Sequence, residues 1–257
     1  MDKASIAGAF LAIAGIIAGL TIEGGNVGQI MQPTAALIVF GGTLGAVMLQ
    51  FPLTTVLAAF RSLGSLFAAP RKEETQLIRD LVAFANKARR NGVVSLDADL
   101  AAIPDPFLKQ ALMLAVDGTE PADLRNIMHL SLDSLTEAEE RLPAVFESAG
   151  GFSPTIGILG AVLGLIQVMQ HLDNINEVGR GIAVAFVATI YGVGIANLFF
   201  LPFAGKMRLR IHASHRRREI MLEGVISILE GMNPRMLEIK LFGFLNGENT
   251  KQKEQAA

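Results

Sequence analysis

Charged residues are missing from four windows of the chain and crowded between them. The windows are Ala4–Ile22, Thr34–Gln50, Ser148–Gln170 and Gly181–Gly205. A helix needs about 20 mainly apolar residues to cross a hydrocarbon core of roughly 30 Å. Each window therefore predicts a transmembrane helix. The last two are joined by His171–Arg180, a turn too short to be a domain. Together they form a helical hairpin across a bilayer.

The long segments between the windows also read as helical. Leu77, Ile78, Leu81, Val82, Ala85 and Ala88 fall on one helix face, predicting a helix over Glu73–Asn91 that stops at Gly92. A second is expected over Pro106–Val116. A third opens at Pro121 and runs toward Glu147, with a bend at Pro143, before Gly150-Gly151 leads into the third span. Apolar sequence after the second span continues to Phe60 but crosses Pro52, where a kink or exit is expected. Lys206–Glu230 continues the fourth span as a basic amphipathic helix. Asn233-Pro234 breaks it, Met236–Leu245 makes a last helix, and the chain beyond Gly247 reads as a disordered end. No period-2 pattern predicts a strand. The fold class is an all-α membrane protein, with four transmembrane helices and a helical cytoplasmic domain. Its expected divisions are 1–51 (spans one and two), 52–150 (cytoplasmic insert), 151–205 (the hairpin) and 206–257 (cytoplasmic helices and tail).

Charge placement orients this arrangement. Of 22 Lys and Arg, ten lie in the insert and ten in the tail, while Lys3 and Arg180 complete the set. Arg61, Lys206, Arg208 and Arg210 sit closest to the membrane and place insert and tail on the cytoplasmic side. Both termini are then cytoplasmic and the two short loops outside. The start is read as a retained first span, since Ala4–Ile22 exceeds a typical signal-peptide core and ends in Glu-Gly-Gly.

Composition narrows the chemistry. Hydrophobic residues make up 51% of the chain and there is no cysteine, so neither a disulfide framework nor a Cys-based metal site is available. The hairpin carries Thr155, Gln167, Gln170, Thr189, Tyr191 and Asn197, and no ionisable carboxylate or base within either arm. Ionisable groups inside a membrane mark ion paths. A hairpin without them supplies hydroxyls, carbonyls and a shaped wall, and a titrating carboxylate has to come from another chain. GxxxG pairs occur at Gly15/Gly19, Gly41/Gly45 and Gly160/Gly164 and predict close helix packing. The run His212–Arg218 lacks the carboxylates or cysteines of a metal site and suits inner-leaflet phospholipid. There is no nucleophile–base pairing, phosphate loop or inverted repeat. The sequence implies no catalytic residue, metal site, cofactor or nucleic-acid partner.

Six stretches in order resemble the MotA/PomA family of the bacterial flagellar stator. They are EGGN from Glu23, PTAALIVFGGTLGA from Pro33, DPFLKQALMLAVDGTEP from Asp105, SPTIGILGAVLGLI from Ser153, GIAVAFVATIYGVGIANLFFLP from Gly181, and EGVISILEGMNPRMLEIKLFGFL from Glu223. The resemblance covers nearly the whole chain. It implies a subunit of the bacterial inner membrane, five copies of which ring the single spans of a MotB-type partner. That partner would carry the membrane aspartate, and ion flow past it would turn the ring against a FliG-type rotor protein.

The resemblance also implies residue roles. Pro154 and Pro202 match prolines at the ends of spans three and four. Thr189 matches a threonine facing the partner's aspartate. Phe186 and Tyr191 are pore-wall or interface aromatics. Ala161 stands where sodium-driven relatives tend to have Thr, which implies H+ rather than Na+ as the ion. Arg89 and Asp97 match a charged pair that meets the rotor, with Arg90 able to replace Arg89. Asp97 is one methylene shorter than the glutamate common in the family. The alternative is an ExbB/TolQ-type energiser of outer-membrane processes, whose members usually have three spans and lack the closing NPR–KL motif.

Overall fold

The computed structural model describes residues 3–66 and 74–255. Among the described residues eight α-helical stretches carry the chain and no strand occurs. They are α1 (Lys3–Ile22), α2 (Pro33–Gln50), α3 (Leu53–Leu66), α4 (Glu74–Asn91), α5 (Pro106–Val116), α6 (Pro121–Gln170), α7 (Ile175–Leu229) and α8 (Pro234–Gln255). α2, α6 and α7 are long and apolar enough to cross a membrane, and α1 adds a shorter apolar stretch, Ile6–Ile22.

Several expected boundaries hold. Phe51 is extended ahead of Pro52, so α2 ends there and α3 starts afresh. Gly92 has φ +80°, a left-handed conformation natural to glycine, and it stops α4. Asp105 caps α5 by accepting from the backbone of Phe107 and Leu108. The Glu73 start expected for α4 lies outside the described residues.

Other expectations are corrected. Gly150-Gly151 does not separate two helices: α6 is one helix of 50 residues that runs through Pro143 and Pro154. A Cβ on Gly150 would meet Leu201 Cδ2 at 2.6 Å, so its small size serves helix contact rather than a break. α8 continues to Gln255 instead of ending near Leu245; the added Glu, Lys and Gln residues are good helix formers. The first loop contains a 3-10 turn, Val27–Ile30, closed by a capping box between Asn26 and Gln29. A second 3-10 segment, Val93–Ala102, follows Gly92, where the sequence shows no helical or strand period.

The chain divides into two compact units, residues 1–70 with 139–209, and residues 71–138 with 210–257. In the second, Ile78 and Leu81 of α4, Leu112 of α5 and Leu124 and Met128 of α6 share a core with Ile220 and Ile226 of α7 and Leu237 of α8. Glu223 ties three of these helices together. It accepts from Arg125 Nη1 at 3.0 Å and from Lys240 Nζ, which also reaches Ser227 Oγ at 3.1 Å. Burial alone would raise the Glu223 carboxyl, but the hydrogen bonds and charges of Lys240 and Arg125 outweigh it and hold its pKa below the ordinary value. A depressed carboxyl contributes stability above its unfolded pKa and loses it as pH falls through the lower folded value. Glu223→Ala is expected to cost about 1–2 kcal/mol, because it removes charge-assisted hydrogen bonds to two cations that water partly screens. Hydrogen exchange of Leu222–Ile226 in the intact protein should speed up in the variant. In the wild type the same protection should fade on acidification below the usual glutamate range.

Candidate ion-path hairpin

The first unit is organised by the hairpin of α6 and α7. Its helices touch backbone to backbone along two small-residue faces. A Cβ on Gly157 would meet Ala188 O at 2.8 Å, and one on Gly164 would meet Gly181 O at 2.7 Å. A Cβ on Gly192 would collide with Ser153 O and stand 3.0 Å from Gly157 Cα. The predicted Gly160/Gly164 pair therefore packs within the chain. Gly15, Gly19, Gly41 and Gly45 meet nothing within 4 Å, so those two pairs serve no contact here.

Both site prolines lie inside continuous helices, Pro154 in α6 and Pro202 in α7. Pro154 gives no N–H to the Gly150 carbonyl four residues earlier. The flanking hydroxyls turn back on the same helix, Ser153 Oγ to Ala149 O at 2.7 Å and Thr155 Oγ1 to Phe152 O at 2.8 Å. Pro202 follows a π turn, Ala196–Phe200, in which Leu201 N–H reaches Ala196 O five residues back. With no N–H at Pro202, the Leu198 carbonyl is also left without its usual donor. The helix absorbs this by widening and runs on to Leu229, so the basic segment from Lys206 continues the fourth apolar helix as expected.

The aromatic and hydroxyl positions divide. Tyr191 is tied to its own chain: its hydroxyl donates to Ile30 O at 2.6 Å and accepts from Gln32 N at 3.3 Å, while its ring stacks on Phe40. It therefore anchors the first loop, a role its sequence position did not suggest. Phe186 is 69% exposed. Thr189 is half-buried and its Oγ1 donates to Ala185 O at 3.2 Å, leaving its lone pairs as acceptors. Ala161 and Pro154 are also half-buried, and Pro202 is exposed. No hydrogen bond joins any two of these six residues among the described residues.

At the turn end of the hairpin lies an open cavity of about 500 Å³. Thr34, Gln167 and Gln170 line it beside the Arg180–Glu177 ion pair, whose N···O distance is 3.1 Å. This brings Gln167 and Gln170, though not Asn197, to one mouth. Only their meeting in space marks Thr34, Glu177 and Arg180 as part of it.

In the second unit Arg89, Arg90 and Asp97 are all exposed and none has an ion pair among the described residues. The pair that does form nearby is Lys87–Asp99 at 2.7 Å. Arg89 and Asp97 are thus not partners of each other, and both present open charge. Ala213–Arg218 is half-buried and His212 is exposed.

Residues 99–220 match the family model described as the MotA/TolQ/ExbB proton channel family, and residues 6–92 match that of the Motility protein A N-terminal region. Motility protein A of Bacillus subtilis (strain 168) is 36% identical over 250 residues, which is 95% of this chain and 91% of that protein. The chain belongs to the MotA/PomA family. The flagellar MotAB stator complex from Bacillus subtilis contains a chain that superposes with a TM-score of 0.88 at 34% identity, covering 98% of this chain and 99% of that one. A chain of the C. jejuni MotAB structure also gives 0.88, at 32% identity and with 95% and 96% coverage. Membership in this family and the apolar helices make this a multi-pass membrane protein.

Proposed function

We propose that this chain is a flagellar motor stator subunit that works with a MotB-type partner to couple ion flow to rotation. The observation that carries the reading is a tightly packed hairpin with no charge in either membrane arm, in a chain matching a MotAB stator complex over almost its full length. Such a wall has no titrating group of its own, and the partner's single span supplies the aspartate. Four spans, with both termini and the second unit in the cytoplasm, fit the charge distribution. Five copies ring the partner, Thr189 and Ala161 face the ion, and Pro154 and Pro202 let the helices flex. Phe186, exposed in the single chain, then meets the partner or a neighbouring copy. A site lacking a hydroxyl at Ala161 favours H+ over Na+, which needs several oxygen ligands. Each charge moved delivers about 2.3 kcal/mol per 100 mV. The match of residues 6–92 to the Motility protein A N-terminal model favours this reading over an ExbB/TolQ-type energiser.

Deletion of the gene tests the proposal. Cells are expected to keep their flagella but stop swimming, and the gene should restore swimming in sodium-free medium. Restoration only with sodium overturns the ion assignment, and loss of outer-membrane uptake with normal swimming supports the energiser.

The exposed Arg89, Arg90 and Asp97 suit a FliG-type rotor surface. Arg89→Glu is expected to lower swimming speed severalfold while ion conductance of the purified complex stays unchanged. Loss of the complex itself would make Arg89 structural instead.

A further inference from the structure

The first unit holds a second cavity, of about 250 Å³ and almost wholly apolar, lined by Phe40, Thr43, Leu44, Phe60, Phe146 and Phe200 among others. Phe40, Leu44 and Phe60 are each close to half exposed, so the cavity opens on the apolar flank. Thr43 is only 4% exposed, and its hydroxyl has no hydrogen-bond partner among the described residues. Water does not suit the space, because a bound water needs two to four polar partners and Thr43 offers one. The volume lies below the roughly 300–1,000 Å³ of a typical small-molecule pocket; it fits part of one chain and not a whole amphiphile.

The position of the cavity narrows its occupant. Phe146 and Ala149 straddle Ser148, where the charge-free stretch of α6 begins, and Glu147 between them pairs with Arg208 at 2.6 Å. The α6 wall of the cavity therefore lies at the membrane border, near the ester groups of phospholipids, while Thr43 lies about two turns inside the Thr34–Gln50 window. Arg61, next in the chain to the rim residue Phe60, is exposed and has no ion pair among the described residues. We propose that this cavity holds an acyl-chain segment of an anionic phospholipid, with Thr43 Oγ1 donating to an ester carbonyl and Arg61 pairing with the phosphate. That this lipid belongs to the inner leaflet follows from the orientation proposed above; the presence of the lipid does not depend on it.

Photolabelling of the purified stator complex in nanodiscs tests this without relying on motility. The probe is phosphatidylglycerol carrying a diazirine on one acyl chain, compared with phosphatidylcholine carrying the same chain. Label is expected to concentrate in residues 40–47 and 145–149 and to favour phosphatidylglycerol. Thr43→Val should lower it about threefold to tenfold, the net worth of one hydrogen bond. Ala149→Leu, which fills the cavity, should abolish it in complexes that still assemble, and Arg61→Gln should remove the preference for phosphatidylglycerol. Label spread evenly over all apolar helix faces, or unchanged in both Thr43→Val and Ala149→Leu, would overturn the site. Absence of label there because a neighbouring copy covers the cavity would overturn it equally, and equal labelling by phosphatidylcholine would overturn the anionic assignment.

Discussion

Gly192→Val is expected to abolish motility by forcing α6 and α7 apart. The added side chain would have to occupy space held by Ser153 O and Gly157 Cα, which are backbone atoms of the opposing helix. Backbone cannot swing aside as a flexible side chain can, so the hairpin itself must shift. Overpacking a close contact costs about 1–3 kcal/mol, and a β-branched residue against backbone belongs at or above the upper end. The hairpin gains little from hydrophobic burial inside lipid, so close packing is its main source of cohesion. The control is two residues away. Gly194 meets nothing within 4 Å, and Gly194→Val is expected to leave the chain's own hairpin in place. Native gels of the solubilised complex read the difference: loss of assembly for Gly192→Val and retention for Gly194→Val. Normal assembly of both would show that the glycine contacts do not hold the hairpin.

The second large effect is expected at Thr189. Thr189→Val keeps the shape of the side chain and removes only the oxygen. The hydroxyl's bond to Ala185 O is a bond back to its own helix, which valine can forgo at little cost to folding. Assembly should therefore survive while ion flux through the complex falls at least tenfold, a change of about 1.4 kcal/mol in the barrier. Proteoliposome flux and blue-native assembly, measured on the same preparation, separate the two. Unaltered flux with intact assembly would assign Thr189 to helix-internal bonding alone.

Much of this arrangement can be read along the chain. The four charge-free windows mark the apolar helices, and the absence of a carboxylate in the hairpin points to a partner before any partner is known. Local signals with a single physical cause also carry over, such as the α2 stop before Pro52 and the Asp105 cap of α5. What stays hidden depends on distance in sequence or on packing. Gly150-Gly151 has the composition of a break, yet Gly150 lies against Leu201 and Phe200, a contact that only the folded hairpin creates. The segment Val93–Ala102 has no helical or strand period and folds as a 3-10 run. Glu223 gathers Arg125 and Lys240 from two other helices, and nothing local announces their meeting. Tyr191 looks like a wall residue from its place in α7 but is spent on the first loop, whose carbonyl at Ile30 lies 161 positions away. Arg89 and Asp97 keep the exposure expected of them, while the ion pair forms at their neighbours Lys87 and Asp99.

The most direct measurement of the central claim is rotation of tethered cells lacking this gene and then supplied with it, together with its MotB-type partner, in sodium-free buffer. Rotation should return with the gene, stop when a protonophore collapses the proton gradient, and stay constant as sodium is added. Flagellated cells that remain still with both genes present would contradict the assignment of this chain as a torque-generating stator subunit.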